Sequence, residues 1–134
     1  MWTCARCNRV FVKSNQPHSC KSVPLESHFQ NKEQARELFD CLVENVESKI
    51  GKCKIISLPC CIHLFGNYDF LAALPRRDRL EIRFVMDREL RSPRLKTSVP
   101  MSRFVFKNCI DIYKKEEIDF EIMGWLGESN TLKY

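Results

Sequence analysis

Four residues near the start of the chain have the types and the spacing of a metal site. Cys4, Cys7, His18 and Cys20 lie in the stretch CARCNRVFVKSNQPHSC and form the pattern Cys-x2-Cys-x10-His-x-Cys. Zn²⁺ prefers four nitrogen or sulfur ligands in a tetrahedron, and closed structural sites are built from Cys and His. Because four protein ligands leave no position for water, the pattern predicts a structural zinc ion and not a catalytic one.

The residues between the ligands predict a tight turn followed by a hairpin. Asn8 follows the first ligand pair, and Asn tolerates the positive φ that such a turn requires better than most residues. RVFVK is typical of a short strand and SNQP of its return turn. His18 and Cys20 alternate, so both side chains fall on one side of an extended segment. Two alternatives stay open: His28 as the fourth ligand, and reduced surface thiols without a metal.

The other cysteines are predicted to pack as small hydrophobic residues. The opening residues MWTCARC lack the long apolar stretch of a signal peptide, so we expect a cytoplasmic protein with reduced thiols. No apolar run approaches the roughly 18 residues that cross a bilayer, so no membrane contact is expected. Cys60 and Cys61 are predicted to point to opposite faces of a strand, and His63 to be a packed or hydrogen-bonded core residue.

Hydrophobic periodicity predicts the elements that position these residues. Residues 31–51 predict an amphipathic helix with Asn31 as N-cap and Gly51 as its stop. Its apolar stripe consists of Ala35, Leu38, Phe39, Leu42, Val46 and Ile50. About five antiparallel strands are predicted at 53–58, 60–65, 68–74, 79–87 and 102–110, with a long turn around 93–100. A closing helix over 114–129 has its stripe at Ile118, Ile122, Trp125 and Leu126.

These elements predict an α+β fold in which both helices pack on one face of the sheet. RLEIRF alternates strictly, which predicts that Leu80, Ile82 and Phe84 face the core. Arg79, Glu81 and Arg83 are predicted to face water. The domain prediction is a zinc-binding hairpin over 1–21 and an α+β domain over 22–134.

Positive charge is concentrated in two blocks of a chain whose net charge is +5. Residues 1–21 carry four Lys or Arg and no acid, and residues 76–107 carry ten against four acids. Such blocks beside aromatic residues can meet phosphates, although Arg stems also cover apolar sheet surface. The predicted polyanion-binding residues are Arg76, Arg77, Arg91, Arg94, Lys96 and Arg103.

Several stretches together resemble a known family. They are WTCARCNRVFVKSNQPHSC, ELFD, PRRDRLEIRFVMDREL with the following SPR, and EEIDFEIMGWL. The chain resembles the zinc-finger-bearing branch of domain-of-unknown-function family 5655 over nearly its whole length. The resemblance implies a small α+β domain behind a zinc-binding head, and it brings no established activity.

Three classes of function stay open from the sequence. The leading prediction is a non-enzymatic zinc-binding module that contacts nucleic acid or another polyanion through a basic surface. The second is a protein-interaction or regulatory module, whose hairpin docks onto a partner. The third is a small-ligand domain or an enzyme that uses the sheet face and Arg94. No catalytic residue and no small-molecule substrate is indicated, because Ser-His-Asp, Walker and paired-carboxylate patterns are missing.

Overall fold

The fold consists of a two-stranded sheet, a six-stranded sheet and two helices. The computed structural model describes residues 2–11, 13–18, 20–67 and 69–132. Val12 and Tyr68, which belong to predicted strands, lie outside the described residues. In chain order the elements are β1 (Trp2–Thr3), β2 (Val10–Phe11), α1 (Glu33–Lys49), β3 (Lys54–Ser57), β4 (Ile62–Phe65), β5 (Asp69–Pro75), β6 (Leu80–Met86), β7 (Thr97–Pro100), β8 (Phe106–Ile112) and α2 (Phe120–Ser129). The α+β class is therefore confirmed.

The large sheet is antiparallel throughout, with the strand order β3-β4-β5-β6-β8-β7. Its register places alternate residues of the central strands on a common face, where Leu71 pairs with Phe84 and Ile82 with Ile110. Both helices pack on that face, and their buried residues join the sheet in one core cluster. The opposite face carries Glu81, Arg83 and their neighbours, and we call it the open face.

The helix α1 buries the predicted stripe. Ala35, Leu38, Phe39, Leu42 and Val46 are all buried, and Ile50 is partly buried against them. Gly51 has a φ of 142° and ends the helix as predicted.

The predicted N-cap of α1 is wrong. Asn31 has a φ of 58°, Lys32 precedes the first helical residue, and no side chain of the described residues caps the helix there. Asn31 instead follows a 3-10 helix at Leu25–Phe29, and its left-handed backbone turns the chain from that helix into α1.

The strand β7 was missed by the prediction, which treated 93–100 as a turn. It pairs with β8 at the sheet edge, where Ser98 lies opposite Asn108. The predicted strand over 102–110 begins too early, because the chain turns between Met101 and Val105, whose N–H and C=O are hydrogen-bonded at 2.8 Å. β8 therefore begins only at Phe106.

The helix α2 begins later than the sequence predicts. A 3-10 turn spans Lys115–Glu117, and Asp119 then caps the helix by accepting the N–H of Ile122 at 3.2 Å. The predicted stripe is confirmed, since Ile118, Ile122 and Leu126 are buried and Trp125 stacks on Phe84. None of the helices in the described ranges has the length and apolar character that crossing a bilayer requires.

Candidate metal centre

The first ligand pair sits in a turn that the flanking strands close. β1 and β2 pair directly, with Thr3 opposite Val10. The Cys4 N–H donates to the Arg9 carbonyl at 2.9 Å, and the Asn8 N–H donates to the Cys4 carbonyl at 2.8 Å. Asn8 has the predicted positive φ, 59°. β2 pairs with β1, which precedes it in the chain. The turn of the hairpin is therefore at Cys4–Cys7, whereas the sequence predicted it at SNQP.

The second ligand pair completes a group of four. The ligand atoms of Cys4, Cys7, His18 and Cys20 all lie within 4.8 Å of one another. The Sγ atoms of Cys4 and Cys20 are 3.6 Å apart. His18 Nε2 lies 3.4 Å from the Sγ of Cys7 and 3.4 Å from that of Cys20.

These separations match a tetrahedral zinc site. With Zn–S near 2.3 Å and Zn–N near 2.05 Å, a tetrahedron places two sulfurs about 3.8 Å apart and a sulfur and a nitrogen about 3.5 Å apart. The four side chains are therefore placed where they could hold one metal ion. His28, the alternative fourth ligand, lies in the 3-10 helix Leu25–Phe29 and outside this group.

The ring of His18 is fixed by two kinds of contact. Nδ1 lies 2.7 Å from the Gln16 carbonyl, so the tautomer that donates there leaves Nε2 free to bind a metal. The ring also packs on Phe11 at 4.3 Å between centroids and meets the edge of Trp2 at 5.9 Å. We call residues 2–20 the head. The main side-chain contacts described in it are those among these three rings and those among the four predicted ligands.

The pKa values of the three thiols in the group shift in opposite directions. Hydrogen bonds from the backbone of Cys7 and Arg6 lower the pKa of Cys4. Burial opposes ionisation of Cys7, but hydrogen bonds from the backbone and side chain of Arg9 outweigh it and lower the pKa to about 6. Burial and the neighbouring Cys4 and Cys7 raise the pKa of Cys20 to about 11. Thiolates crowded in this way repel one another, and a divalent cation removes that repulsion.

Comparison of the chain with models of known protein families, with curated proteins and with solved structures gives no match. The resemblance to domain-of-unknown-function family 5655 therefore stays a prediction. Two of the stretches that carry it meet in the fold, because Arg94 of SPR donates to both carboxylate oxygens of Asp119, at 2.8 and 2.9 Å.

Three of the six predicted polyanion-binding residues are engaged in ion pairs. Arg76 and Lys96 lie 3.3 and 3.5 Å from the carboxylate of Glu81 on the open face. Arg94 contacts Asp119 and Glu121, and it also donates to the carbonyl of Glu117 at 2.6 Å. Arg94 thus faces two carboxylates, whereas Arg76 and Lys96 share the carboxylate of Glu81 with Arg83, so their positive charge is compensated only in part.

The other three predicted residues are exposed but are not all at one end of the sheet. Arg77 lies in the turn after Pro75, which pairs with Leu80 at one end. Arg103 lies in the β7–β8 turn at the other end, and its guanidinium lies 5.3 Å from the ring centroid of Phe104. Arg91 lies in the loop between β6 and β7. Binding of a polyanion by these residues stays a prediction.

A second cluster of reactive side chains was not predicted. The Sγ atoms of Cys60 and Cys61 are 3.0 Å apart, so the prediction that they point to opposite faces of a strand is wrong. Both residues precede β4 and lie in a turn, where the strand alternation does not apply. His63 is half-buried and contacts both Cys61 and Asp69. The spacing of two residues between Cys61 and His63 was a signal in the sequence that their side chains share a face. The contact of His63 with Asp69 could not be predicted, because it depends on the register between β4 and β5.

Proposed function

We propose that the chain is a non-enzymatic module that binds one structural zinc ion through Cys4, Cys7, His18 and Cys20. The observation that carries the proposal is the mutual spacing of the four ligand atoms, which fits a tetrahedron of three sulfurs and one nitrogen. Sulfur-rich sets of this kind select zinc over the harder cations Mg²⁺ and Ca²⁺. A closed set of four also supports a structural role, because it offers the ion no open position for a substrate.

The head depends on such an ion for its order. β1 and β2 have two residues each, and the main core cluster of the described chain includes no residue from the head. Two short strands and one cluster of three rings bury too little apolar surface to offset the conformational entropy of ordering the segment. Binding free energy from the metal can supply the difference.

Elemental analysis of the purified full chain tests the proposal. We expect about one zinc per chain in protein prepared without chelator, and a loss of nearly all zinc from Cys4→Ser and Cys20→Ser. Cys41→Ser is the matched control, because Cys41 is a half-buried cysteine on α1 outside the ligand group. It should keep the full zinc content.

The outcome of metal removal should be local. In the variants, the resonances of Trp2, Phe11 and His18 should lose their dispersion while those of the core residues stay unchanged. A wild-type chain that contains no zinc, and that takes none up on titration, would refute the proposal.

Contact with nucleic acid or another polyanion is a further proposal for this module, and a protein partner is its alternative. Its support is the excess of cations over 76–107 together with the exposure of Arg77, Arg91 and Arg103. The ion pairs of Arg76, Arg94 and Lys96 reduce the number of cations available for such contact. The proposed zinc site is supported by geometry, whereas the proposed contact with a polyanion is supported by charge alone.

A further inference from the structure

The side chains of Cys60 and Cys61 are in contact in the turn that precedes β4. Their sulfurs are 3.0 Å apart, and a disulfide needs an approach of about 1 Å more, to roughly 2.05 Å. Cys60 is exposed, whereas Cys61 is buried with 8% of its surface accessible. A solute can thus reach the thiol of Cys60 directly, whereas the thiol of Cys61 is shielded from solvent.

A base and its orienting carboxylate lie directly beside the buried thiol. His63 Nε2 is 3.1 Å from the Sγ of Cys61, and Nδ1 is 2.8 Å from a carboxylate oxygen of Asp69. When Nδ1–H donates to Asp69, Nε2 is left as the acceptor for the thiol proton. The carboxylate also stabilises the imidazolium that forms once His63 takes that proton.

The buried thiol of Cys61 ionises with difficulty. Burial and the neighbouring Cys60 raise the pKa of Cys61 to about 12, so this thiol holds its proton in the resting state. Part of that increase comes from the charge of Cys60, which vanishes once Cys60 is bonded to another sulfur. Because Cys60 is exposed and Cys61 is buried, Cys60 is suited to react first and Cys61 second.

A shallow depression of about 170 Å³ opens beside His63 and Asp69. Lys107 and Arg83 contribute to its lining, and because Arg83 also pairs with Glu81 at 2.7 Å, Lys107 is the cation there without an ion pair among the described residues. Carboxylate-bearing thiols such as short peptide thiols fit this charge. A metal is a weaker fit for this cluster, because in the described residues only the head brings three or more ligand atoms within 4.8 Å of one another.

We propose that Cys60 and Cys61 form a dithiol–disulfide redox site that reacts with small carboxylate-bearing disulfides, with His63 as the base and Asp69 as a positioning residue. The site is independent of the zinc head and goes beyond the function proposed above.

The reaction is two successive thiol–disulfide exchanges. Cys60 gives its proton to water, and its thiolate attacks one sulfur of the external disulfide. The external S–S bond breaks, and the first external thiolate leaves and takes up a proton from water. Cys61 then gives its proton to His63 Nε2, and its sulfur attacks Cys60. The Cys60–Cys61 bond forms, the mixed disulfide breaks, and the second external thiolate takes the proton from His63. The protein loses two electrons and two protons, and the external disulfide gains them.

The product is expected to be easily reversed. Adjacent Cα atoms are about 3.8 Å apart across a trans peptide, less than the roughly 4.4–6.8 Å usual for disulfides, and strained disulfides are more readily reduced. A dithiol such as dithiothreitol should therefore restore both thiols of the Cys60–Cys61 pair.

Mass spectrometry of the full zinc-loaded chain after exposure to oxidised glutathione tests the proposal. The peptide that contains Cys60 and Cys61 should lose two hydrogen atoms, resist alkylation at both residues and carry no glutathione. Cys53→Ser is the matched control, since Cys53 is a half-buried thiol outside the cluster. It should react like wild type.

Variants of the cluster separate the two steps. Cys61→Ser should accumulate glutathione on Cys60, because the resolving thiol is gone, and Cys60→Ser should leave Cys61 unmodified. His63→Gln should form the mixed disulfide at the wild-type rate but resolve it roughly 100-fold more slowly, as expected for loss of a general base. Circular dichroism should show that each variant keeps its fold.

Two results would overturn the proposal. One is a wild-type chain that collects a stable glutathione adduct on Cys60 without forming the Cys60–Cys61 bond. The other is alkylation of both thiols, before and after exposure to the disulfide, to the same extent. Resolution at the wild-type rate in His63→Gln would remove the assignment of the base.

Discussion

At the scale of the residue, Glu81 is the carboxylate that three cationic side chains of the open face contact. Its carboxylate is nearly fully buried, with 3% of the side chain accessible, and it lies 2.7 Å from Arg83. Arg76 and Lys96 contact it as well. Burial alone would raise the pKa of Glu81, but the hydrogen bonds from Arg83 and Cys109 and the nearby positive charges lower it to about 2. The folded state therefore favours the charged carboxylate.

The face on which Glu81 lies was predictable, but its burial was not. Strict alternation in RLEIRF placed its side chain opposite the core, as the register confirms. We expected it to face water. The side chains of Arg76, Arg83 and Lys96 instead converge over it, from three different positions along the chain. Such convergence follows from strand order, which a single sequence does not specify.

Glu81→Gln should lower the free energy of unfolding by about 2–3 kcal/mol at neutral pH, because the ion pairs lose their anion. A carboxyl with a lowered pKa stabilises the fold above its unfolded-state pKa, and that contribution disappears as the pH falls through its folded-state pKa. The difference between wild type and Glu81→Gln should thus shrink by roughly half from pH 5 to pH 3.

Urea denaturation across that pH range measures the difference. Glu89→Gln is the control, since Glu89 is exposed and makes no ion pair with the described residues. It should stay within about 0.5 kcal/mol of wild type. A difference for Glu81→Gln that does not depend on pH would contradict the lowered pKa.

At the scale of the element, Arg94 fastens the start of α2 to the loop before β7. Its guanidinium binds the N-cap Asp119 and the carbonyl of Glu117 in the preceding turn. The hydrogen bonds from Arg94 lower the pKa of Asp119, which keeps the cap charged and able to accept the N–H of Ile122. SPR and the stretch EEIDFEIMGWL, which contains Asp119, both carry the family resemblance, and their contact gives both a structural role.

Arg94→Ala should destabilise the protein by about 1–3 kcal/mol, because charged hydrogen bonds to Asp119 and to a backbone carbonyl are lost. Arg91→Ala is a matched control from the same loop, since Arg91 is exposed and has no ion pair among the described residues. It should change stability by less than about 0.5 kcal/mol. Thermal melts of the two variants measure both effects. Equal melting temperatures for Arg94→Ala and Arg91→Ala would contradict the role of Arg94.

Elements with long periodic patterns were predicted well, and short ones were not. The stripe of α1 repeats over four turns, so its buried face could be identified residue by residue. β7 has four residues and ends in Pro100, which reads as a turn signal in sequence. Its strand character comes from pairing with β8, a tertiary contact. Asn31 was mistaken for a cap because the same residue type also suits a left-handed turn.

At the scale of the whole molecule, the core cluster contains no described residue of the head. The core cluster runs from Phe29 to Leu126 and joins α1, α2 and the central strands. One described backbone hydrogen bond just after the head ties Val23 to Ser57, at 3.1 Å. The boundary between 1–21 and 22–134 stays a prediction that this arrangement makes testable.

A chain that begins at Ser22 should fold without zinc. Because it keeps the whole core cluster, we expect a cooperative thermal transition within a few degrees of that of the full chain, as followed by circular dichroism. The full chain treated with chelator is the control and should melt at nearly the same temperature. A truncated chain without a cooperative transition would show that the head is an integral part of the core.

The order of strands in the large sheet also has a consequence for the folding pathway. β3, β4, β5 and β6 are neighbours both along the chain and in the sheet, so their pairing closes only short loops. β7 and β8 are also neighbours along the chain and in the sheet, so the pairing of β8 with β6, over seven residue pairs, is the one that closes a longer loop. A nascent chain can thus assemble its sheet by a local route before any zinc is delivered. If the head binds zinc as proposed, we expect the supply of the metal to affect when the head becomes ordered and not whether residues 22–134 fold.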